Sequence, residues 1–175
     1  MPHTLVVLVE DKPGVLNRVA SLFRRRAFNI ESLTVGHTAE PGVSRMTIVV
    51  DSDAVSAERV TAYLHKLVNV IQVEDVALIE VISRDLALVK VRAAPAARAQ
   101  LHQVVDDTGA HVVDTGAETV TLEITGEPPQ VDRAIERLRP FGIAEMVRTG
   151  RTTMARGDRV LRADDQPAPL TALAS

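Results

Sequence analysis

The order of its predicted elements constrains the fold of this 175-residue chain more than any other feature. Short apolar runs rich in Val, Leu and Ile, which are typical of buried strands, alternate with segments whose apolar residues recur at helical spacing. Along residues 3–82 the order is strand, helix, strand, strand, helix, strand, and residues 84–149 repeat it with an unrelated sequence. The pattern predicts two α+β domains of similar topology.

The predicted elements can be placed along the chain. The first repeat has strands at 3–10, 28–38, 43–50 and 70–82, with helices at 15–27 and about 52–68. The second has strands at 86–92, 111–115, 119–124 and 143–147, with helices at 95–108 and 128–139. This βαββαβ order is the ferredoxin-like arrangement, which serves many functions and assigns none. The predicted domains are 1–80 and 81–150, followed by a tail at 151–175 whose polar, then Pro- and Ala-rich last part is expected to be disordered.

The first predicted helix carries its apolar residues at three- and four-residue steps, which indicates one buried face. The residues assigned to that face are Leu16, Val19, Ala20, Phe23 and Ala27.

Composition excludes several classes of function. The chain has no cysteine, so disulfides, thiolate metal sites and cysteine nucleophiles are absent. A net charge of −3 and only four aromatic residues argue against nucleic-acid binding. No apolar run is long enough for a membrane span, and the N-terminal run is too short for a signal peptide. A cytoplasmic protein with no nucleic-acid or membrane partner is therefore expected.

The sequence shows no self-contained catalytic constellation. None of its five histidines pairs with another at metal-ligand spacing, and no G-x-S-x-G elbow or Gly-rich phosphate loop occurs. Adjacent carboxylates such as Asp106 and Asp107 point in different directions on a helix. We therefore expect no catalytic residues, metal or cofactor in this chain.

One loop does carry a chemical signal. Residues 11–16, DKPGVL, join a buried strand to the start of a helix whose first amides lack internal partners. Those amides favour an anion, Gly14 leaves room for close approach, and Asp11 can accept from an ammonium group. This combination suits an amino acid. A purely structural role, in which Pro13 and Gly14 start the helix and Asp11 caps it, explains the same residues equally well.

The loop and its surroundings resemble a known family. The segment EDKPGVLNRVASLFRRRAFNIESLTVG, then SRMTIVV and LHKLVNVIQV, is similar to the regulatory (small) subunit of acetolactate synthase, also called acetohydroxyacid synthase. Its D-x-P-G-x-L pattern is that of an ACT domain, a ferredoxin-like module that senses amino acids. The resemblance is continuous over residues 3–80 and looser beyond, where LALVKV and ARGD carry it.

The resemblance implies a regulatory role. A separate catalytic (large) subunit, which uses thiamine diphosphate, Mg²⁺ and FAD, would make acetolactate for valine, leucine and isoleucine synthesis. The small subunit would raise that activity and confer feedback inhibition, usually by valine. Its ACT domains would pair edge to edge in a homodimer, with effector sites at the interface.

Carried over by position, the effector site would use residues of two chains. Asp11, Gly14, Val15 and Leu16 would come from one chain, and Asn29 and Ile30 from its partner. Many members of the family have Asn at the first of these positions. The carboxylate of Asp11 would favour the ammonium group of the ligand and repel its carboxylate.

Two other functions compete with this one. A stand-alone ACT-type sensor would regulate a different enzyme or a transcription factor through the same fold. An independent small enzyme is disfavoured because no catalytic constellation is found.

Overall fold

The structure, a computed structural model, describes residues 2–51 and 54–163. The chain divides into two compact units, Met1–Ile82 with Thr153–Ser175, and Ser83–Thr152. Each unit has one antiparallel sheet with two helices on one face, which confirms the predicted fold class of two ferredoxin-like α+β domains.

The first unit contains β1 (Pro2–Glu10), α1 (Val15–Arg25), β2 (Ile30–His37), β3 (Val43–Asp51), α2 (Ala54–Leu64) and β4 (Val70–Asp75). Its strand order is β2-β3-β1-β4, so β2 is an edge strand. Alternate residues of β1 (Leu5, Val7 and Val9) pack under the helices together with Phe23 of α1. Because β2 and β1 both run antiparallel to β3, they run parallel to each other.

The second unit contains most of β5 (Val81–Arg92), then α3 (Arg98–Thr108), β6 (His111–Thr115), β7 (Thr119–Gly126), α4 (Pro128–Leu138) and β8 (Ile143–Arg148). Its strand order is β6-β7-β5-β8. The short β9 (Thr152–Ala155) also pairs with β5, and all of its residues after Thr152 belong to the first unit. Val89, Leu122 and Ile135 lie in a core of aliphatic side chains. No helix in the described part of the chain is long and apolar enough to cross a membrane.

The predicted strand at 70–82 is interrupted. β4 ends at Asp75, whose Oδ1 accepts a hydrogen bond of 3.0 Å from the amide of Ala77, and β5 begins only at Val81. An aspartate that bonds the backbone two residues ahead makes a turn, so the apolar run is two strands rather than one.

The predicted inner face of α1 is partly wrong. Val19 and Phe23 are buried as predicted, but Leu16, Ala20 and Ala27 are exposed, and Ala27 lies beyond the end of α1. Val15 and Leu22 are buried instead. The helix is rotated because Val15, its first residue, reaches into the core.

The tail is not wholly separate from the domains. Residues from Thr153 onward belong to the first unit, where Arg45 Nη2 donates 2.6 Å to the carbonyl oxygen of Thr153 and Arg159 pairs with Glu74. The part of the tail expected to be disordered, residues 164–175, lies outside the described residues.

A buried ion pair joins elements of the second unit. Arg148 Nη2 lies 2.6 Å from Asp85 Oδ2, with the aspartate side chain only 7% exposed, and Arg148 Nη1 lies 2.6 Å from Asp132 Oδ1. Burial opposes the charge of Arg148, but the hydrogen bonds that its guanidinium donates to these carboxylates raise its pKa overall. The guanidinium therefore compensates a carboxylate that has little access to water.

Replacing Arg148 with Met is expected to lower the free energy of unfolding by about 3 kcal/mol, because it leaves the carboxylate of Asp85 buried and unpaired. Arg139→Met is the matched control, since Arg139 makes an exposed pair with Glu136 and should cost less than about 1 kcal/mol. Urea unfolding measures both. Equal effects of the two substitutions would refute a special role for the buried pair.

Candidate functional site

The loop between β1 and α1 is held by its backbone. The amide of Asp11 donates to the carbonyl oxygen of Gly42 at 2.8 Å, and that of Lys12 donates to Glu10 at 3.0 Å. Gly14 precedes the helix with φ +85°, in the left-handed region that favours glycine. The sequence DKPG thus fixes the direction in which the helix start faces.

The first turn of α1 offers unused hydrogen-bond donors. The amide of Val15 donates to Lys12 at 3.3 Å, but those of Leu16 and Asn17 find no acceptor among the described residues. Gly14 supplies no capping side chain, and a Cβ placed there would meet nothing within 4 Å. Two free amides at the positive end of a helix dipole can bind a carboxylate.

The carboxylate of Asp11, at the start of the same loop, is accessible. Its Oδ2 lies 3.3 Å from His37 Nδ1 in a pair that is exposed on both sides, so a ligand can displace the histidine at little cost. The neighbouring carboxylate of Glu10 already accepts hydrogen bonds from Asn69 and Lys12, and these bonds lower its pKa. Asp11 is therefore the carboxylate of this loop that remains available to an ammonium group.

Val15 and Leu16 do not share one environment. Val15 is 4% exposed and belongs to the hydrophobic core, so its side chain does not face the loop surface. Leu16 is 45% exposed and is the apolar side chain of this pair that a ligand can reach.

Asn29 and Ile30 lie at the opposite end of the sheet from this loop. Ile30 pairs with Val50, which pairs with His3 near the start of β1, whereas the loop follows the end of β1. Val9 lies six positions after His3 along β1, a distance of about 20 Å. Asn29 is exposed, and Ile30 is half-buried against the core. One chain therefore does not bring the two groups of predicted site residues together.

Sequence reasoning missed three contributors to the loop surface: Asn17, His37 and Gly42. The signal for Gly42 and His37 was present, since in a βαββαβ sheet the turn after the second strand lies beside the end of the first. Nothing in the sequence marks the amide of Asn17 except its position in the first helical turn. Within residues 2–51 and 54–163 no three His, Asp or Glu side chains are grouped to hold a metal ion.

Comparisons with known proteins give matches to both units of the chain. The family model described as "AHAS small subunit-like ACT domain" matches residues 5–72, and that described as "Small subunit of acetolactate synthase" matches residues 84–157. The acetolactate synthase small subunit of Mycobacterium leprae is 48% identical over 157 residues, which cover 90% of this chain and 93% of the relative. The chain belongs to the acetolactate synthase small-subunit family. The resemblance predicted from the Asp11 loop and its surroundings is thereby confirmed.

Other members of the small-subunit family extend the match. The Bacillus subtilis small subunit is 40% identical over 158 residues, covering 90% of this chain and 92% of the relative. The crystal structure of the Thermotoga maritima acetolactate synthase small subunit superposes with a TM-score of 0.84 at 35% identity, covering 91% of this chain and 99% of that one. Both units of the chain, with the Asp11 loop in the first, therefore fall within the part that the family shares.

Proposed function

We propose that this chain is the regulatory subunit of acetolactate synthase, which raises the activity of the catalytic subunit and confers feedback inhibition by a branched-chain amino acid. Valine is the effector that we propose. The observation that carries the proposal is that the amides of Leu16 and Asn17, which follow Gly14, have no acceptor among residues 2–51 and 54–163. They lie in the ACT unit of a small-subunit family member.

The loop recognises both charged groups of an amino acid. The ligand carboxylate accepts from the amides of Leu16 and Asn17, and Asp11 accepts from its ammonium group. The exposed side chain of Leu16 offers an apolar surface to a branched side chain. Asp11 disfavours a carboxylate placed beside it, so the ligand binds in one orientation, with its ammonium group toward Asp11.

Asn29 and Ile30 complete the site from a second chain. Antiparallel pairing of the β2 edges of two chains about a two-fold axis brings the start of one β2 next to the end of the other. His37 ends β2 and lies beside Asp11, so Asn29 of one chain then approaches the loop of the other. The homodimer is thus required for the effector site.

Regulation follows from linkage between the effector site of this chain and the active site of the catalytic subunit. An effector that binds one quaternary state of the complex more tightly shifts the population toward it, with coupling of about 1–3 kcal/mol in typical allosteric proteins. Thiamine diphosphate, Mg²⁺ and FAD belong, in this proposal, to the catalytic subunit. That subunit performs the chemistry, and the present chain supplies none of the reacting groups.

The proposal predicts the outcome of a reconstitution. Adding this protein to the catalytic subunit is expected to raise acetolactate production several-fold and to make it sensitive to valine, as measured across a valine titration. The protein alone should show no turnover of pyruvate. A reconstituted enzyme with neither a higher rate nor amino-acid sensitivity, combined with direct binding of valine to the small subunit, would instead favour a stand-alone sensor.

A further inference from the structure

A cavity lies on the sheet face of the first unit that the helices leave uncovered. Leu8 and Arg45, which pair across β1 and β3, form part of its floor, and the C-terminal segment from Met154 to Arg162 forms its opposite wall. Its volume is about 680 Å³, within the range of about 300–1,000 Å³ that is usual for small-molecule sites. The loop residues Asp11 to Leu16 do not line it.

The walls of this cavity are largely aliphatic. Its floor includes Leu8, Val43 and Val76, which are 2%, 8% and 4% exposed. Its rim includes Met154 and Val160, which are 62% and 58% exposed. An apolar body placed there would cover side chains on both sides and remove the rim residues from water.

The charged side chains of the lining are Arg45, Arg159, Arg162, Glu40 and Glu74. Glu74 pairs with Arg159, and its charge also acts on Arg45. The guanidinium of Arg45 is half-buried and belongs to the residue that pairs with Leu8 of the aliphatic floor, so it is the group that favours one anionic charge in a ligand.

The guanidinium of Arg45 has hydrogen-bond donors that a ligand could use. Its Nη2 donates 2.6 Å to the carbonyl oxygen of Thr153, and its Nε and Nη1 have no acceptor among the residues that the structure describes. The side chain is half-buried, and burial lowers its pKa although the charge of Glu74 opposes this. The guanidinium remains charged at neutral pH and, being poorly hydrated, gains from an anionic partner.

We propose that this cavity binds a singly charged organic anion with an apolar body, whose anionic group accepts from Arg45 and whose body packs between the aliphatic floor and the rim. The ligand class differs from the zwitterionic amino acid of the effector site. The two sites share one neighbour, because His37 lines the cavity and also faces Asp11.

The test uses 8-anilinonaphthalene-1-sulfonate, a fluorescent probe with an apolar body and one sulfonate, and its uncharged analogue N-phenyl-1-naphthylamine. The full-length protein is expected to bind the sulfonate at one site per chain and about tenfold or more tightly than the analogue, since a charge-assisted hydrogen bond is lost with the sulfonate. Neither valine nor the catalytic subunit is needed, so the result is independent of the proposed function.

Two substitutions locate the site. Arg45→Met should weaken sulfonate binding about tenfold or more and leave analogue binding unchanged. Met154→Glu, on the exposed rim, should weaken sulfonate binding several-fold by repulsion, even if Arg45→Met does not fold. Val68→Glu is the matched control, because Val68 is 89% exposed and does not line the cavity. Equal affinities for the two probes, or equal effects of Met154→Glu and Val68→Glu, would overturn the proposal.

Discussion

Replacing Gly14 with Asp is expected to abolish valine inhibition while leaving activation of the catalytic subunit largely intact. The new carboxylate would lie beside the free amides of Leu16 and Asn17 and occupy the place of the ligand carboxylate. Losing two charge-assisted hydrogen bonds should raise the valine concentration for half-inhibition by about 100-fold or more. The measurement is acetolactate production by the reconstituted enzyme across a valine titration.

A matched variant separates charge from backbone strain. Gly14 has φ +85°, so any side chain there is strained, at a cost of about 1 kcal/mol or more. Gly14→Ala carries this strain without a side-chain group that can accept from the amides, and its Cβ has open space. We expect it to retain valine inhibition with an affinity reduced only a few-fold. Unchanged inhibition in Gly14→Asp would place the effector elsewhere, and equal loss in both variants would assign the effect to loop geometry.

Sequence patterns predicted the fold because they record how each residue is buried. Strands such as β1 are apolar on both faces, and in the second unit β7 alternates Val120, Leu122 and Ile124 with polar residues. Helical spacing in the first helix is equally plain, but it fixed the face of α1 only to within one residue. Val15 belongs to the core although the residues before it, Asp11 to Gly14, are exposed, and spacing alone does not record this.

Features that depend on distant contacts were not predictable in the same way. The turn after Asp75 depends on one side chain bonding the backbone, inside a run that otherwise continues as apolar. The placement of the segment after Thr153 rests on Arg45 and Glu74, more than 80 residues earlier, and its own sequence has no strand pattern.

The candidate site shows the same division between local and distant signals. Asp11 and Gly14 were predicted from a local motif and lie where a helix start exposes its amides. Asn29 and Ile30 came from the family resemblance, and their distance from the loop shows why no local pattern in one chain could link them.

Because Asn29 and the Asp11 loop lie far apart within one chain, complementation between two differently substituted chains can test whether they form one site. Gly14→Asp and Asn29→Ala should each abolish or strongly weaken valine inhibition when every chain carries the substitution. Asn29 is exposed and precedes β2, so its loss should not disturb the fold. In a heterodimer of the two variants, isolated with two different affinity tags, one site carries both defects and the other carries none. About half of the sites are then intact, and valine inhibition is expected to return at wild-type valine concentrations.

The reciprocal heterodimer makes the result decisive. When Gly14→Asp and Asn29→Ala are placed in the same chain and paired with a wild-type chain, each site across the two-fold axis receives one defect, so inhibition should stay lost. A site built within a single chain would give the opposite pattern, with the first heterodimer unresponsive and the second responsive. The two heterodimers contain the same substitutions in the same numbers, so differences in stability or expression cannot produce the contrast. Only the geometry in which the β2 edge of one chain delivers Asn29 to the Asp11 loop of the other restores inhibition in the first and not in the second.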